Sequence, residues 1–249
     1  MTALAVVGSG VLAGAVGGLL VPLPAYRLSV PADEPDRSAC TACAAPLPAG
    51  LTGWVRLPAA CLACGVGLGP PAWLTAAAGG LAGGLLAVGL GANRALPLFL
   101  ALVVLGVLLA AIDLACRRLP HRLVVPALGV ATVLFAGLAL VSGEWGAWLR
   151  AVVAAAVLGG VFLLLANLPG GGLGYGDVKL AALLGLFLGW LSWRAVLWGG
   201  LLPWLINGPV VLGLLLAGRV RRRSALPFGP ALLTGALLAV LVNAWLTTR

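Results

Sequence analysis

Two carboxylates stand where carboxylates are costly. Asp113 lies in Ala-Ala-Ile-Asp-Leu and Asp177 in Gly-Leu-Gly-Tyr-Gly-Asp-Val-Lys-Leu, each embedded in apolar sequence. An ionisable group at the edge of hydrocarbon is expensive, and by default it marks a functional site. Among the other acids, Asp33, Glu34 and Asp36 share one polar segment, and Glu144 sits in Ser-Gly-Glu-Trp-Gly, which reads as a short extramembrane turn. Asp113 and Asp177 are left as a candidate pair. Two facing carboxyls repel when both are ionised, so they tend to share one proton. One ionised and one protonated carboxyl are the tools of aspartic proteolysis: the base activates water, and the acid protonates the carbonyl oxygen or the leaving amine. The bland alternative is an acid at the interface paired with a neighbour, Arg117 or Arg118 for Asp113 and Lys179 for Asp177.

The glycines before the second acid sharpen the case. Gly170-Gly171-Gly172-Leu173-Gly174-Tyr175-Gly176 strips side chains from the approach to Asp177. Such a stretch lets another backbone come close, and an extended peptide must do so if its amide is to be attacked.

A second constellation is made of sulfur. Cys40-Thr41-Ala42-Cys43 and Cys61-Leu62-Ala63-Cys64, separated by 17 residues, have the spacing of two knuckles holding one zinc through four thiolates. On the cytoplasmic side, where thiols stay reduced, these cysteines read as metal ligands and not as disulfides. The loop carrying them is poor in aliphatic bulk, so the metal is expected to supply its fold. Cys116 reads as inert packing at the interface, and His121, the only histidine, as a surface residue in a loop.

The elements that must position these groups are membrane helices. With 62% hydrophobic and 8% charged residues in 249, the chain has too little polar surface to cover a soluble globule. A spanning helix needs about 20 apolar residues, and eight stretches of that size are expected at 3–22, 73–91, 95–114, 123–141, 147–167, 177–193, 195–217 and 228–247. The sixth is short and runs closely into the seventh. The first lacks a basic n-region and a small-residue cleavage site, so it is read as a helix and not a signal peptide. The expected fold is an all-α polytopic membrane protein with a first transmembrane helix (1–23), a cytoplasmic four-cysteine loop (24–72) and a seven-helix membrane domain (73–249).

Positive residues accumulate in cytoplasmic loops. Placing the first loop in the cytoplasm puts eleven of the fifteen basic residues on that side, Arg219, Arg221, Arg222 and Arg223 among them. Arg94, Arg150, Arg194 and Arg249 then lie opposite. The net charge of +9 is thus explained by topology and lipid contact, not by nucleic-acid binding. Both acids then fall at the inner boundary. Trp73, Trp145, Trp148, Trp190, Trp193 and Trp198 are expected to form the interfacial aromatic belt.

The run Gly174-Tyr175-Gly176-Asp177-Val178-Lys179-Leu180 resembles the glycine-x-glycine-aspartate signature of the type IV prepilin peptidases. Asp113, followed by Arg118-Leu119-Pro120, Leu123 and Pro126, resembles that family's first catalytic aspartate and its surroundings, and Pro227-Phe228-Gly229-Pro230 resembles the opening of its last helix. The resemblance implies an inner-membrane aspartic endopeptidase that removes the short basic leader of prepilins and pseudopilins at the cytoplasmic face. On this carry-over Asp113 and Asp177 share the acid and base roles. Gly174 and Gly176 shape the substrate groove, and Lys179 holds the loop to lipid phosphate or tunes the acid. Larger members carry the tetracysteine loop and also N-methylate the new N-terminus with S-adenosylmethionine. Here the family's asparagine before Tyr26-Arg27-Leu28 is absent, and Gly69-Pro70-Pro71-Ala72-Trp73 stands where the family has a Glu, so methyl transfer is left open. Two rival classes are a transporter relaying protons through the paired acids, and a non-enzymatic assembly factor docking a partner through the zinc loop.

Overall fold

A computed structural model describes residues 2–31, 34–168, 173–217 and 227–247. The glycines at 170–172, Asp33, and the basic residues Arg219, Arg221, Arg222, Arg223 and Arg249 lie outside the described residues. Among the described residues the chain forms nine α-helices and one short 3-10 turn: α1 (Ala3–Leu19), α2 (Pro22–Leu28), the turn at Leu51–Gly53, α3 (Ala72–Leu90), α4 (Leu96–Cys116), α5 (His121–Ser142), α6 (Trp145–Ala166), α7 (Tyr175–Leu191), α8 (Trp193–Leu216) and α9 (Gly229–Thr247). The expected all-α membrane fold is present. Six helices (α3, α4, α5, α6, α8 and α9) are long and apolar enough to cross a bilayer, and α1 with α2 make a seventh candidate bent by 45°. The expected sixth span corresponds to α7, which has 17 residues.

The chain divides into two compact units, residues 1–92 with 99–116, and residues 93–98 with 117–249. In the first, α1 lies against α3 through small residues. A Cβ on Gly10, Gly14 or Gly18 would run into backbone at Gly83, Gly79 or Thr75, so these positions let two helix backbones touch. Small residues every fourth position are the usual means of bringing helices together in lipid, where no hydrophobic force distinguishes protein from solvent. On α4, Val104 fills the space beside Gly17.

The first span departs from its expected form. The stretch 3–22 was expected to be one helix with a loop from residue 24, but the chain bends after Leu19, and α2 starts at Pro22. Proline at the first helical position has no N–H to lose and its φ is already helical. α2 belongs to the cysteine lobe, where Leu23 and Tyr26 share one apolar cluster with Cys40, Cys61 and Leu68.

In the second unit α7 is the hub, packing against α5, α6, α8 and α9. Its buried residues run continuously from Leu183 to Trp190. A helix covered by protein on all sides needs no lipid-facing length, which accounts for its shortness. Gly185 and Gly189 let α7 approach the backbone of α6 at Ala154 and Ala151. At the far end Arg150 donates from Nε to the Gly189 carbonyl (2.7 Å) and from Nη2 to those of Trp190 (2.8 Å) and Leu191 (3.3 Å). Those carbonyls end a helix and have no partner within it. Trp190 is a correction to the aromatic belt: it is 5% exposed and stacks on Phe135 at 4.8 Å, with Phe187 edge-on to the same ring at 5.0 Å. Trp73, Trp145 and Trp193 are exposed, as a belt requires. His121 is also corrected, from loop to first residue of α5, where it is exposed.

Candidate active site and metal centre

Asp113 sits in the last turn of α4 with only 4% of its surface exposed, beside Leu109 and Ile112, which are fully buried. One turn on, the Cys116 thiol donates to the Ile112 carbonyl at 3.2 Å, which fits the packing role expected for it. Arg117 then takes a φ of +55°. A left-handed residue ends a helix by turning the chain away from the axis.

Asp177 occupies the first turn of α7, within the second unit. Gly174 is the N-cap residue, and its N–H donates to Asp177 Oδ2 at 3.3 Å, while the Asp177 N–H donates to the Gly174 carbonyl at 3.0 Å. Gly174 has no side chain with which to return a bond, so the cap is half of a capping box, supplied by the acid itself. A carboxylate here also benefits from the positive end of the helix dipole. Gly176 faces Leu119: a Cβ built on it would lie 2.9 Å from the Leu119 Cβ and 3.4 Å from its backbone nitrogen and oxygen. Leu119, six residues after Asp113 in the chain, is itself buried. The motif glycine is required by this contact. Gly176→Ala is therefore expected to push the first turn of α7 off Leu119 and to cost at least about tenfold in turnover of any reaction that Asp177 serves, with normal membrane accumulation. Gly160→Ala, at a helical position with open space around it, is the control that should be silent.

Lys179 lies two residues past Asp177 on the same helix, and positions i and i+2 do not face each other.

The cysteines come together. The Sγ atoms of Cys40, Cys43, Cys61 and Cys64 lie within 4.8 Å of one another, with Cys40 and Cys64 at 3.8 Å and Cys43 and Cys61 at 3.6 Å. Tetrahedral zinc with Zn–S bonds of about 2.3 Å sets its sulfurs about 3.8 Å apart. All four are free thiols, and the set fits a structural zinc. The geometry comes from a repeat not noticed in the sequence. Ser38–Leu47 and Ala59–Leu68 fold alike, the N–H of Cys40 or Cys61 donating to the carbonyl of Ala45 or Val66, and that of Leu47 or Leu68 to Ser38 or Ala59. Each knuckle turns at a left-handed residue, Ala44 (φ 57°) or Gly65 (φ 73°). The shared pattern Ala-Cys-x-Ala-Cys was the available signal.

Backbone N–H groups of Cys64 and Ala63 point at the Cys61 sulfur and, with the neighbouring thiols of Cys64 and Cys43, hold it as a thiolate with a pKa of about 6. For Cys43 the N–H of Ala45 pulls the same way, but the Cys64 sulfur, partial desolvation and the remaining sulfurs outweigh it and push the thiol up to about 12. Four crowded sulfurs cannot all ionise without a cation between them.

α2 braces the lobe. The Tyr26 hydroxyl accepts from the Thr41 N–H at 2.8 Å, beside Cys40. Arg37 stacks its guanidinium on the Tyr26 ring at 5.0 Å. Arg27, 8% exposed, lies over the Trp54 ring at 5.1 Å and donates to the Pro48 carbonyl at 2.8 Å. Gly69 packs directly on Pro22.

The type IV leader peptidase family matches residues 98–218, a range that includes Asp113, Gly174, Gly176 and Asp177. A prepilin leader peptidase/N-methyltransferase of Burkholderia pseudomallei (strain K96243) is 35% identical over 229 residues, covering 86% of this chain and 68% of that protein. A protein of the same description from Aeromonas hydrophila is 32% identical over 241 residues, covering 91% and 78%, and one from Bacillus subtilis (strain 168) is 31% identical over 158 residues, covering 62% and 60%. No solved structure matches the chain. On this likeness over most of its length, the chain belongs to the type IV leader peptidase family.

Proposed function

We infer that this multi-pass membrane enzyme is an aspartic endopeptidase that removes the leader of prepilin-like proteins, with Asp113 and Asp177 as its catalytic acids. The observation that carries the reading is the family membership across 98–218 together with an acid at each matching motif. One carboxylate takes a proton from water as the water oxygen bonds to the scissile carbonyl carbon. The other carboxyl protonates the carbonyl oxygen and, as the C–N bond breaks, a proton passes to the departing amine. The partly exposed start of α7, with no side chain at the exposed Gly174, offers room for an extended substrate backbone beside Asp177. The bias of basic residues supports an inner-membrane orientation with this end facing the cytoplasm. Nothing favours the transporter or the non-enzymatic assembly factor.

The four sulfurs Cys40, Cys43, Cys61 and Cys64 would hold a structural zinc that fixes the lobe. Methyl transfer from S-adenosylmethionine is the finer reading, taken from the names of the relatives. One feature of the lobe suits an anionic group such as the carboxylate of that donor: the buried Arg27 Nε has no hydrogen-bond partner among the described residues.

The test is incubation of the purified full chain in phospholipid vesicles with a prepilin. A single cut that frees the leader is expected, and an uncut substrate would contradict the reading. A mass gain of one methyl group on the mature N-terminus, dependent on S-adenosylmethionine, would report the second activity separately.

A further inference from the structure

The connection from α6 to α7 holds four glycines and a proline in seven residues, 168–174. It delivers Asp177 onto a first turn whose N-cap bond comes from the Asp177 carboxylate itself, through Oδ2 and the Gly174 N–H. The strength of that cap changes as the carboxylate gains and loses a proton, because an ionised acceptor bonds an N–H more strongly than a neutral one. A second tie holds the same turn without using the acid. The Tyr175 hydroxyl donates to Asn167 Oδ1 at 3.1 Å, joining the first residue of α7 to the C-cap residue of α6. The amide orientation is set independently: Asn167 Nδ2 donates to the Leu163 carbonyl at 2.7 Å, which leaves the oxygen end for the tyrosine. The bond bridges the two ends of the glycine-rich connection.

We propose that Tyr175 and Asn167 are positioning residues for leader cleavage, a clasp that keeps the first turn of α7 in register while the Asp177 carboxylate works. The proposal rests on the reading of Asp177 as catalytic. Misplacing a reacting group by a fraction of an ångström lowers turnover more than ground-state binding, so the clasp acts on kcat.

The experiment compares Tyr175→Phe, which removes one oxygen, with Asn167→Ala and the double variant, all as the full chain in vesicles with a prepilin substrate. A single exposed hydrogen bond predicts a fall in kcat of about three- to tenfold, with KM unchanged within about twofold. The double variant should be no slower than the slower single one, because both remove the same bond. Tyr175→Phe cleaving within about twofold of the parent, a change confined to KM, or multiplicative losses in the double variant would each overturn the clasp. Full activity in Asp177→Asn would instead bring down the reading beneath it, so the two failures are distinguishable.

Discussion

Asp113→Asn and Asp177→Asn are each expected to lower leader cleavage by about 10²–10⁴-fold while the protein still accumulates in membranes. Asparagine keeps the shape of the side chain and one accepting oxygen, so the Gly174 N–H keeps its partner and the first turn of α7 its cap. What is lost is the ability to take up and release a proton. At the nearly buried Asp113 asparagine likewise keeps the shape of the side chain, so the protein should still fold and accumulate. On the proposed mechanism the two acids act as a unit, so the double variant should be little worse than either single one. Quantifying mature and unprocessed prepilin by mass spectrometry, with the amount of enzyme in the membrane as control, reads this out. Normal processing by either variant would remove that acid from the mechanism.

Loss of zinc has the second large effect, and it falls on the lobe. Two of the five buried residues in the lobe's apolar cluster, Cys40 and Cys61, belong to the four-sulfur set, leaving Leu23, Tyr26 and Leu68 as its remaining buried bulk. Such a core cannot offset the entropy of ordering the loop. Structural zinc contributes about 10–16 kcal/mol of binding free energy in small domains of this kind. Cys61→Ser or a strong chelator should therefore open residues 30–72 to proteolysis and release the Arg27 guanidinium from the Trp54 ring, with a change in tryptophan fluorescence. Metal analysis of the untreated protein should give one zinc per chain. Acid should strip it too, because protons compete with the metal for the thiolate ligands as the pH falls. A metal-free chain that stays protease-resistant through 30–72 would contradict the metal centre.

Most of the helices were legible because hydrocarbon demands long apolar runs, and seven of the eight expected spans correspond to helices of similar extent. The exceptions have physical causes. α2 was hidden because a seven-residue helix with Pro22 and Pro24 has no periodicity of its own, and it is held by Tyr26, Leu23 and Pro22 against the cysteine knuckles. Trp190 looks like an interfacial tryptophan in sequence, but α7 is sheathed by four helices and its aromatic end packs into Phe135. The two acids and four cysteines could be picked out because each is an anomaly of type: charge in apolar sequence, or paired thiols at knuckle spacing. Asn167 gave no such signal. Its role comes from a side-chain bond across a turn, and neither composition nor period records that.

Asp113 and Asp177 must serve one reaction centre if the mechanism is right. Replacing both by cysteine in a Cys116→Ser background, with zinc retained on the other four thiols, allows that to be measured with a short bifunctional thiol cross-linker on the full chain in vesicles. An intramolecular link between positions 113 and 177 is expected, detected as a single cross-linked peptide pair. Two thiols that modify independently and never join, or that react from opposite faces of the membrane, would rule out a shared centre.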